Sequence, residues 1–347
     1  MNHIPSSATD CDIAICGAGP VGMALAALLV KRGVAASRIT LIDAMTLAQA
    51  STDPRSVALS WGSRQILEDI GAWPFEATAI HQIHVSRRGQ FGRSMIEREQ
   101  HKVPALGYVT RYGEVVRALG AVCERAGIVT LRPARVAAVD ELENAVVLTL
   151  NDAAAGTARS LRAAIVVQAE GGLFGDQVSR AQRRDYRQTA IIAQVRSSRP
   201  IPHRAFERFT EQGPLALLPQ GDEYSLVWCV RPDAAEALLA LDERAFLVRL
   251  GEAFGDRVGR FTHASPRLSF ALVVIDPDLR DGDGGSLLHN LHHHQVDARV
   301  LLYSARHPER HMAGSAFLPK PWTSPRQLWR TVSDLLAIGQ TMPVEPQ

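Results

Sequence analysis

The sequence predicts an α/β protein in three parts: a mostly parallel, helix-flanked sheet, an inserted and mostly antiparallel β-sheet, and a partial doubly wound segment. Three observations carry this reading. Gly17, Gly19 and Gly22 form a G-x-G-x-x-G turn between an apolar run at 13–16 and a helix-like stretch at 23–30. Between residues 190 and 230, four strand-like runs are separated by turn residues such as Gly213-Pro214 and Gln220-Gly221-Asp222. After Phe270, two further apolar runs end at Asp276 and Ser304.

The first element explains itself residue by residue. Gly17 permits a tight turn, Gly19 lets the backbone approach a pyrophosphate, and Gly22 lets the helix pack close on the strand. The free N–H groups and positive dipole end of that helix face an anion. A second strand, 38–42, stops at Asp43, where a carboxylate accepts hydrogen bonds from a ribose 2′-OH. Strand, turn, helix and acid together predict a Rossmann-like dinucleotide site. These residues alone leave FAD and a nicotinamide cofactor both open.

Downstream, residues 44–54 read as a loop. Ser60 is placed to N-cap a helix that stops at Gly71. Residues 80–86 alternate apolar and polar, as one half-buried strand does. A helix is expected over 111–127, a strand-rich stretch over 129–150, and a buried strand over 163–169 that ends at Glu170-Gly171-Gly172. Strands are expected at 190–195, 204–210, 215–219 and 224–230, then one amphipathic helix over 234–254. The resulting parse is a nucleotide-binding domain at 1–174, a β-sheet substrate domain at 175–269, a third segment at 270–340 and a tail at 341–347.

Composition narrows the classes. Of 347 residues, 46% are hydrophobic and 21% charged, which supports a sizeable core and argues against global disorder. The net charge of +2, from 38 basic and 36 acidic residues, leaves no nucleic-acid footprint. Cys11, Cys16, Cys123 and Cys229 show no C-x-x-C pairing and read as small buried hydrophobes in a reducing compartment. No apolar run approaches the roughly 18 residues that span a bilayer, and residues 1–10 lack the apolar core of a signal peptide. The expectation is a cytoplasmic protein, with peripheral membrane contact left open. His289, His292, His293 and His294 have no Cys or acid at ligand spacing and read as a solvated helix face.

Further motifs carry a family resemblance. They are Asp53-Pro54-Arg55-Ser56-Val57-Ala58-Leu59, Ile83-His84-Val85-Ser86 with Phe91-Gly92, and Ala205-Phe206-Glu207-Arg208-Phe209-Thr210. The last runs into Gly213-Pro214-Leu215-Ala216-Leu217-Leu218-Pro219, with Leu226-Val227-Trp228 after it. With the glycine fingerprint, residues 10–270 resemble the FAD-dependent aromatic hydroxylases, in the branch that hydroxylates polyprenylated phenols for ubiquinone biosynthesis. The resemblance implies FAD, NAD(P)H as reductant, oxygen, a small phenolic or polyprenyl substrate and protein partners of a biosynthetic complex. It implies that Asp43 binds the adenosine ribose and that Arg55 and Arg111 lie along the FAD. Ala169-Glu170-Gly171 stands where the family has Ala-Asp-Gly, a motif that touches FAD and the nicotinamide donor. Glu170 keeps the charge on an arm one methylene longer. No side chain is singled out as a catalytic acid or base, because the cofactor carries the chemistry.

Beyond Phe270 the pattern departs from that family. Its Gly-Asp-Ala-Ala-His segment is not found, and the nearest stretch, Arg299-Val300-Leu301-Leu302-Tyr303-Ser304-Ala305-Arg306-His307, has Ser304-Ala305 in place of Gly-Asp. Leu272-Val273-Val274-Ile275-Asp276, the strand ending at Ser304, Pro319-Lys320-Pro321 and a helix over 325–338 instead resemble the second half of a response-regulator receiver domain. That resemblance puts Asp276 at the phospho-acceptor position, Ser304 at the switch hydroxyl, Lys320 at the phosphate contact, and Asp276 and Asp278 at Mg²⁺. The receiver's first two strands, with their acidic pair, have no counterpart. The expectation is a hybrid joined near Phe270: an FAD-dependent monooxygenase whose loosely held flavin limits activity. The alternatives are a non-enzymatic signalling or interaction protein and a nucleotide binder without turnover.

Overall fold

The computed structural model describes residues 9–90, 92–152, 158–170, 184–274, 300–304 and 315–319. They fall into two units, one of residues 1–172 with 187–272 and one of residues 173–186 with 273–347.

In the first unit, β1 (Cys11–Cys16) is buried at five of its six positions, as a strand covered on both faces must be. α1 (Pro20–Lys31) follows, with Gly19 as its N-cap and proline at the start of its first turn, where a missing N–H costs nothing. β2 (Ile39–Ile42) is buried throughout. The stretch expected to be loop then contains α2 (Leu47–Ser51), started by a capping box between Thr46 and Gln49. That T-x-x-Q signal stands in the sequence; the helix is one turn and a half long, too short for apolar periodicity to show it.

β3 (Ser56–Ser60) leads into α3 (Trp61–Asp69), whose N-cap Ser60 accepts from the Ser63 amide at 3.1 Å. The single strand expected over 80–86 is two strands: β4 (Thr78–Ile80) and β5 (Gln82–Arg87). They separate at His81, whose ring stacks on His203 with centroids 4.3 Å apart and whose amide donates to the His203 carbonyl. β6 (Arg93–Glu97), α4 (Arg98–His101), β7 (Gly107–Arg111) and the amphipathic α5 (Tyr112–Arg125) follow. Then come β8 (Val129–Leu131), β9 (Ala134–Leu142), β10 (Ala145–Asp152) and β11 (Ala158–Gln168). Expected to be buried, β11 is covered only at Leu161 and Ala163, its other positions being half-buried or exposed.

The first sheet has the order β8-β2-β1-β11-β10-β9. β8, β2, β1 and β11 run parallel, and β10 and β9 complete an antiparallel meander. β3, β7 and β4 form a small antiparallel sheet of their own.

β12 (Arg184–Ser197), β13 (Arg204–Phe209), β14 (Pro214–Gln220) and β15 (Glu223–Val230) build the larger sheet. α6 (Pro232–Leu239) and α7 (Glu243–Phe254) replace the single helix expected over 234–254. The break comes at Asp242, which accepts from the Ala245 amide at 2.7 Å and so starts a new helix. β16 (Phe261–Ala264) and β17 (Leu268–Val274) complete the sheet, in the order β16-β12-β15-β14-β13-β5-β6 with β17 beside β12. Pairing is antiparallel along this path except between β13 and β5. Two strands far upstream therefore complete a sheet built mainly by residues after 184. One face packs Ile191, Phe206, Leu217 and Trp228 against Phe246 and Phe254 of α7.

In the second unit, β18 (Val300–Ser304) and β19 (Ser315–Pro319) form a parallel pair. Among the described residues no helix is long and apolar enough to cross a bilayer, and no group of three or more His, Cys, Asp or Glu could hold a metal. The four cysteines are free and buried, and burial pushes the Cys16 thiol up to about 12 and that of Cys123 up to about 11.

Candidate active site

The glycine turn sits at the carboxyl edge of the parallel sheet. Gly17 has φ +99°, and a Cβ there would lie 2.5 Å from the Ala169 carbonyl and 2.6 Å from the Glu170 nitrogen. The Ala169–Glu170 backbone thus crosses directly over the turn, held by the Ala169 amide on the Cys16 carbonyl at 2.6 Å. A Cβ at Gly22 would run into the Gly17 carbonyl oxygen and come 3.2 Å from Ile15 Cγ2, so α1 can seat on β1 only through a glycine. At Gly19 a Cβ would come 3.1 Å from Tyr112 Oη. No side chain caps the first turn of α1, and no acid lies in it. Those amides and the positive end of the helix are left for an anion.

Asp43 holds this turn in place. Its Oδ2 accepts from the Ala18 amide at 2.8 Å and its Oδ1 from the Met45 amide at 2.8 Å. Arg132, which sequence reasoning missed, lies 3.4 Å from Asp43 Oδ2, and the two side chains are only 7% and 14% exposed. Arg132 also donates to the Ala18 carbonyl at 3.2 Å and the Met45 carbonyl at 2.9 Å. With about four acceptor sites on a carboxylate, Asp43 keeps capacity for a ribose hydroxyl.

Arg55 grips Asp53, with Nη2 at 2.6 Å from Oδ2, and lies over the Tyr112 ring at 5.1 Å. Its guanidinium holds the Asp53 carboxyl below the usual carboxylate range. Arg55, Tyr112 and Gly19 are therefore neighbours. Arg111 pairs with Ser56 across β7 and β3 and lines an open groove of about 690 Å³ with Arg196, Gln220, Asp222 and Glu223. Burial first, and then the charge of Asp43, raises the Glu170 carboxyl.

A polar seam joins the larger sheet to this region. Ser56 Oγ donates to Gln220 Oε1 at 2.8 Å and accepts from Gln194 Nε2 at 3.0 Å. The Gly221 amide donates to Thr78 Oγ1 at 2.9 Å. Gln194 Oε1 is buried with no hydrogen-bond partner among the described residues. Gly171, Asp276, Asp278 and Lys320 lie outside the described residues, and Ser304 is the last residue of β18. The described residues therefore do not carry the receiver-like reading; they supply only the β18–β19 pair.

A parallel sheet with an uncapped glycine turn at its carboxyl edge, and an acid closing the next strand, defines a dinucleotide-binding α/β protein. A family model described as an FAD binding domain matches residues 10–246. The chain belongs to this FAD-binding family of flavin-dependent monooxygenases.

It is similar to an uncharacterized Synechocystis protein, slr1300: 30% identical over 291 residues, covering 80% of this chain and 68% of that one. Ubiquinone hydroxylase UbiL of Rhodospirillum rubrum is 31% identical over 278 residues, which cover 76% of this chain but 62% of the relative's length. The 3-demethoxyubiquinol 3-hydroxylase of Escherichia coli is 27% identical over 323 residues, covering 85% and 80%. The fold is shared with p-nitrophenol 4-monooxygenase PnpA of Pseudomonas putida, at TM-score 0.57 and 16% identity over 77% of this chain and 69% of that one. It is shared too with the flavin-dependent monooxygenase PieE, solved with FAD and substrate, at TM-score 0.57 and 15% identity over 77% and 51%.

Proposed function

We propose that this protein is an FAD-dependent monooxygenase that hydroxylates a phenolic, polyprenylated ring in ubiquinone biosynthesis, with NAD(P)H as reductant and oxygen as co-substrate. The observation that carries the reading is the uncapped start of α1 beneath a turn in which a Cβ at Gly17 or Gly22 would collide with backbone. The 17–22 turn and the first-turn amides of α1 hold the diphosphate. Asp43 takes the adenosine ribose, and Arg55, Arg111 and Glu170 lie along the cofactor. FAD, when bound, draws electrons from the nicotinamide and uses oxygen to deliver one oxygen atom to the ring. The chain's own work is to bind, orient and exclude water. Arg132 and Asp43 clamp the turn from behind, and the seam Ser56–Gln194–Gln220 fixes the larger sheet against it. Similarity to a ubiquinone hydroxylase and a 3-demethoxyubiquinol 3-hydroxylase supports the substrate class. An apolar tail on the substrate brings peripheral membrane contact and biosynthetic protein partners into the same reading. The signalling alternative has no described site to rest on.

The test uses the full chain with added FAD. A bound-flavin absorbance spectrum is expected, with NAD(P)H oxidation that speeds up on adding a prenylated phenol and a product heavier by one oxygen atom. Stable flavin binding without NAD(P)H oxidation would mark a nucleotide binder without turnover, and a protein that stays colourless would sink the reading.

A further inference from the structure

The larger sheet has a second face, opposite the α7 core. On it the strand registers place Gln194 beside Ser225 and Ser225 beside Leu218, and Ala205 beside Ile83. Ala205, Leu218 and Ile83 pack with Ile80, Val109 and Leu106 at the small sheet. The next row is Ile192–Val227–Ala216–Glu207–Val85. All five of its residues are half-buried. Glu207 thus stands in this row between Ala216 and Val85, with Val227 and Ile192 beyond Ala216.

Glu207 makes no hydrogen bond or ion pair within the described residues. Burial alone holds its carboxyl above the usual range, and burial first, then the charge of Glu207, raises the thiol of Cys229. A half-buried carboxylate with no protein donor is incompletely hydrated, at a cost to the fold, and a ligand that brings a donor relieves that cost. Gln194 Oε1, two residues along β12 from Ile192, is a second acceptor without a donor on the same face. This face also looks toward the cofactor residues: Gln194 and Gln220 on it share hydrogen bonds with Ser56, next to Arg55 in the chain.

We infer that this row is the floor on which the substrate ring lies, and that Glu207 accepts the hydrogen bond of the ring hydroxyl and takes its proton. The phenol O–H bond breaks, its electron pair stays on the ring oxygen, and a carboxyl O–H bond forms; the proton passes to solvent when product leaves. The negative oxygen makes the ring more electron-rich, as its hydroxylation requires. Ile192, Val227, Ala216 and Val85 give the ring and the start of its tail an apolar bed. The inference rests on the function proposed above and adds a residue to it.

The experiment measures equilibrium binding of a short-chain prenylphenol and of its methyl ether to the FAD-loaded protein by calorimetry, without NAD(P)H, so that no turnover occurs. The wild type is expected to prefer the phenol about tenfold, the size of one charge-assisted hydrogen bond. Glu207→Gln should cut that preference to about twofold or less, and Val227→Phe should weaken both ligands alike, with melting temperatures recorded to confirm folding. A tenfold preference that survives Glu207→Gln, or two ligands indifferent to Val227→Phe, overturns the inference. If the phenol still speeds NAD(P)H oxidation by the wild type in that event, the hydroxylase reading stands and only Glu207 falls. A wild type that neither binds the phenol nor responds to it overturns both.

Discussion

In the first sheet, the parts of the proposed nucleotide site are neighbours in sequence as well as in space: β1, the glycine turn, α1 and β2 run through residues 11–42 without interruption. In the larger sheet they are not. Its proposed substrate face needs Val85 of β5 beside Glu207 of β13, two strands brought together only by a long-range parallel pairing. The proposed nucleotide site depends on what one short segment is sterically able to do. The substrate face depends on the whole sheet assembling, and on the core beneath it.

Four changes would break or sharpen that contrast. The largest effect is expected from Phe246→Ala. Phe246 is fully buried beneath the sheet, and its loss should destabilise by ~3–5 kcal/mol, read by urea denaturation. FAD affinity measured well below the transition should hold, because the glycine turn does not touch that core; a parallel loss of flavin would show that the two sheets act as one unit. Gly17→Val comes next. The added side chain meets both a left-handed φ and the Ala169–Glu170 backbone, for about 3 kcal/mol. It should give a colourless protein whose larger sheet still folds, read by flavin absorbance against circular dichroism. Arg132→Ala removes the partner of the mostly buried Asp43 and frees the Ala18 carbonyl. FAD binding should weaken about tenfold in a fluorescence titration, and an unchanged affinity would mean the turn holds its shape without the clamp.

The smallest effect concerns pH. Burial holds Glu207 above the usual carboxylate range. Stability is therefore lost as pH rises from the unfolded-state value to that raised value and stays lost above it, while below the unfolded-state value both states are protonated and nothing is lost. Glu207→Gln should raise the melting temperature of the ligand-free protein by about 2 °C at pH 8 relative to wild type, with no gain at pH 4. An equal gain at both pH values would point to packing rather than charge.

Legibility followed the same divide. The start of α3 at Ser60 and the strands of residues 190–230 stood in the sequence as capping and alternation. The capping box of α2 stood there too, hidden by the helix's shortness. The division of 80–86 into β4 and β5 left no local trace, since the apolar alternation runs on through His81 and only its meeting with His203 separates them. The break at Asp242 was masked by an amphipathic pattern continuous across two helices. Arg132 carried no signal at all, because its partners Asp43, Ala18 and Met45 lie far upstream.

Residue types and spacing by themselves determined the glycine turn, the helix that follows and the acid after the second strand. Steric limits on φ and the free amides of a helix start act within a few residues and need no distant partner. Only the tertiary structure decided which arginine clamps that turn, which sheet the strands at 82–97 join, and that Glu207 stands between Ala216 and Val85 with no ion-pair partner among the described residues. Those outcomes depend on which faces of remote segments are buried together, and side-chain alternation along one strand says which way a residue points but never what it meets.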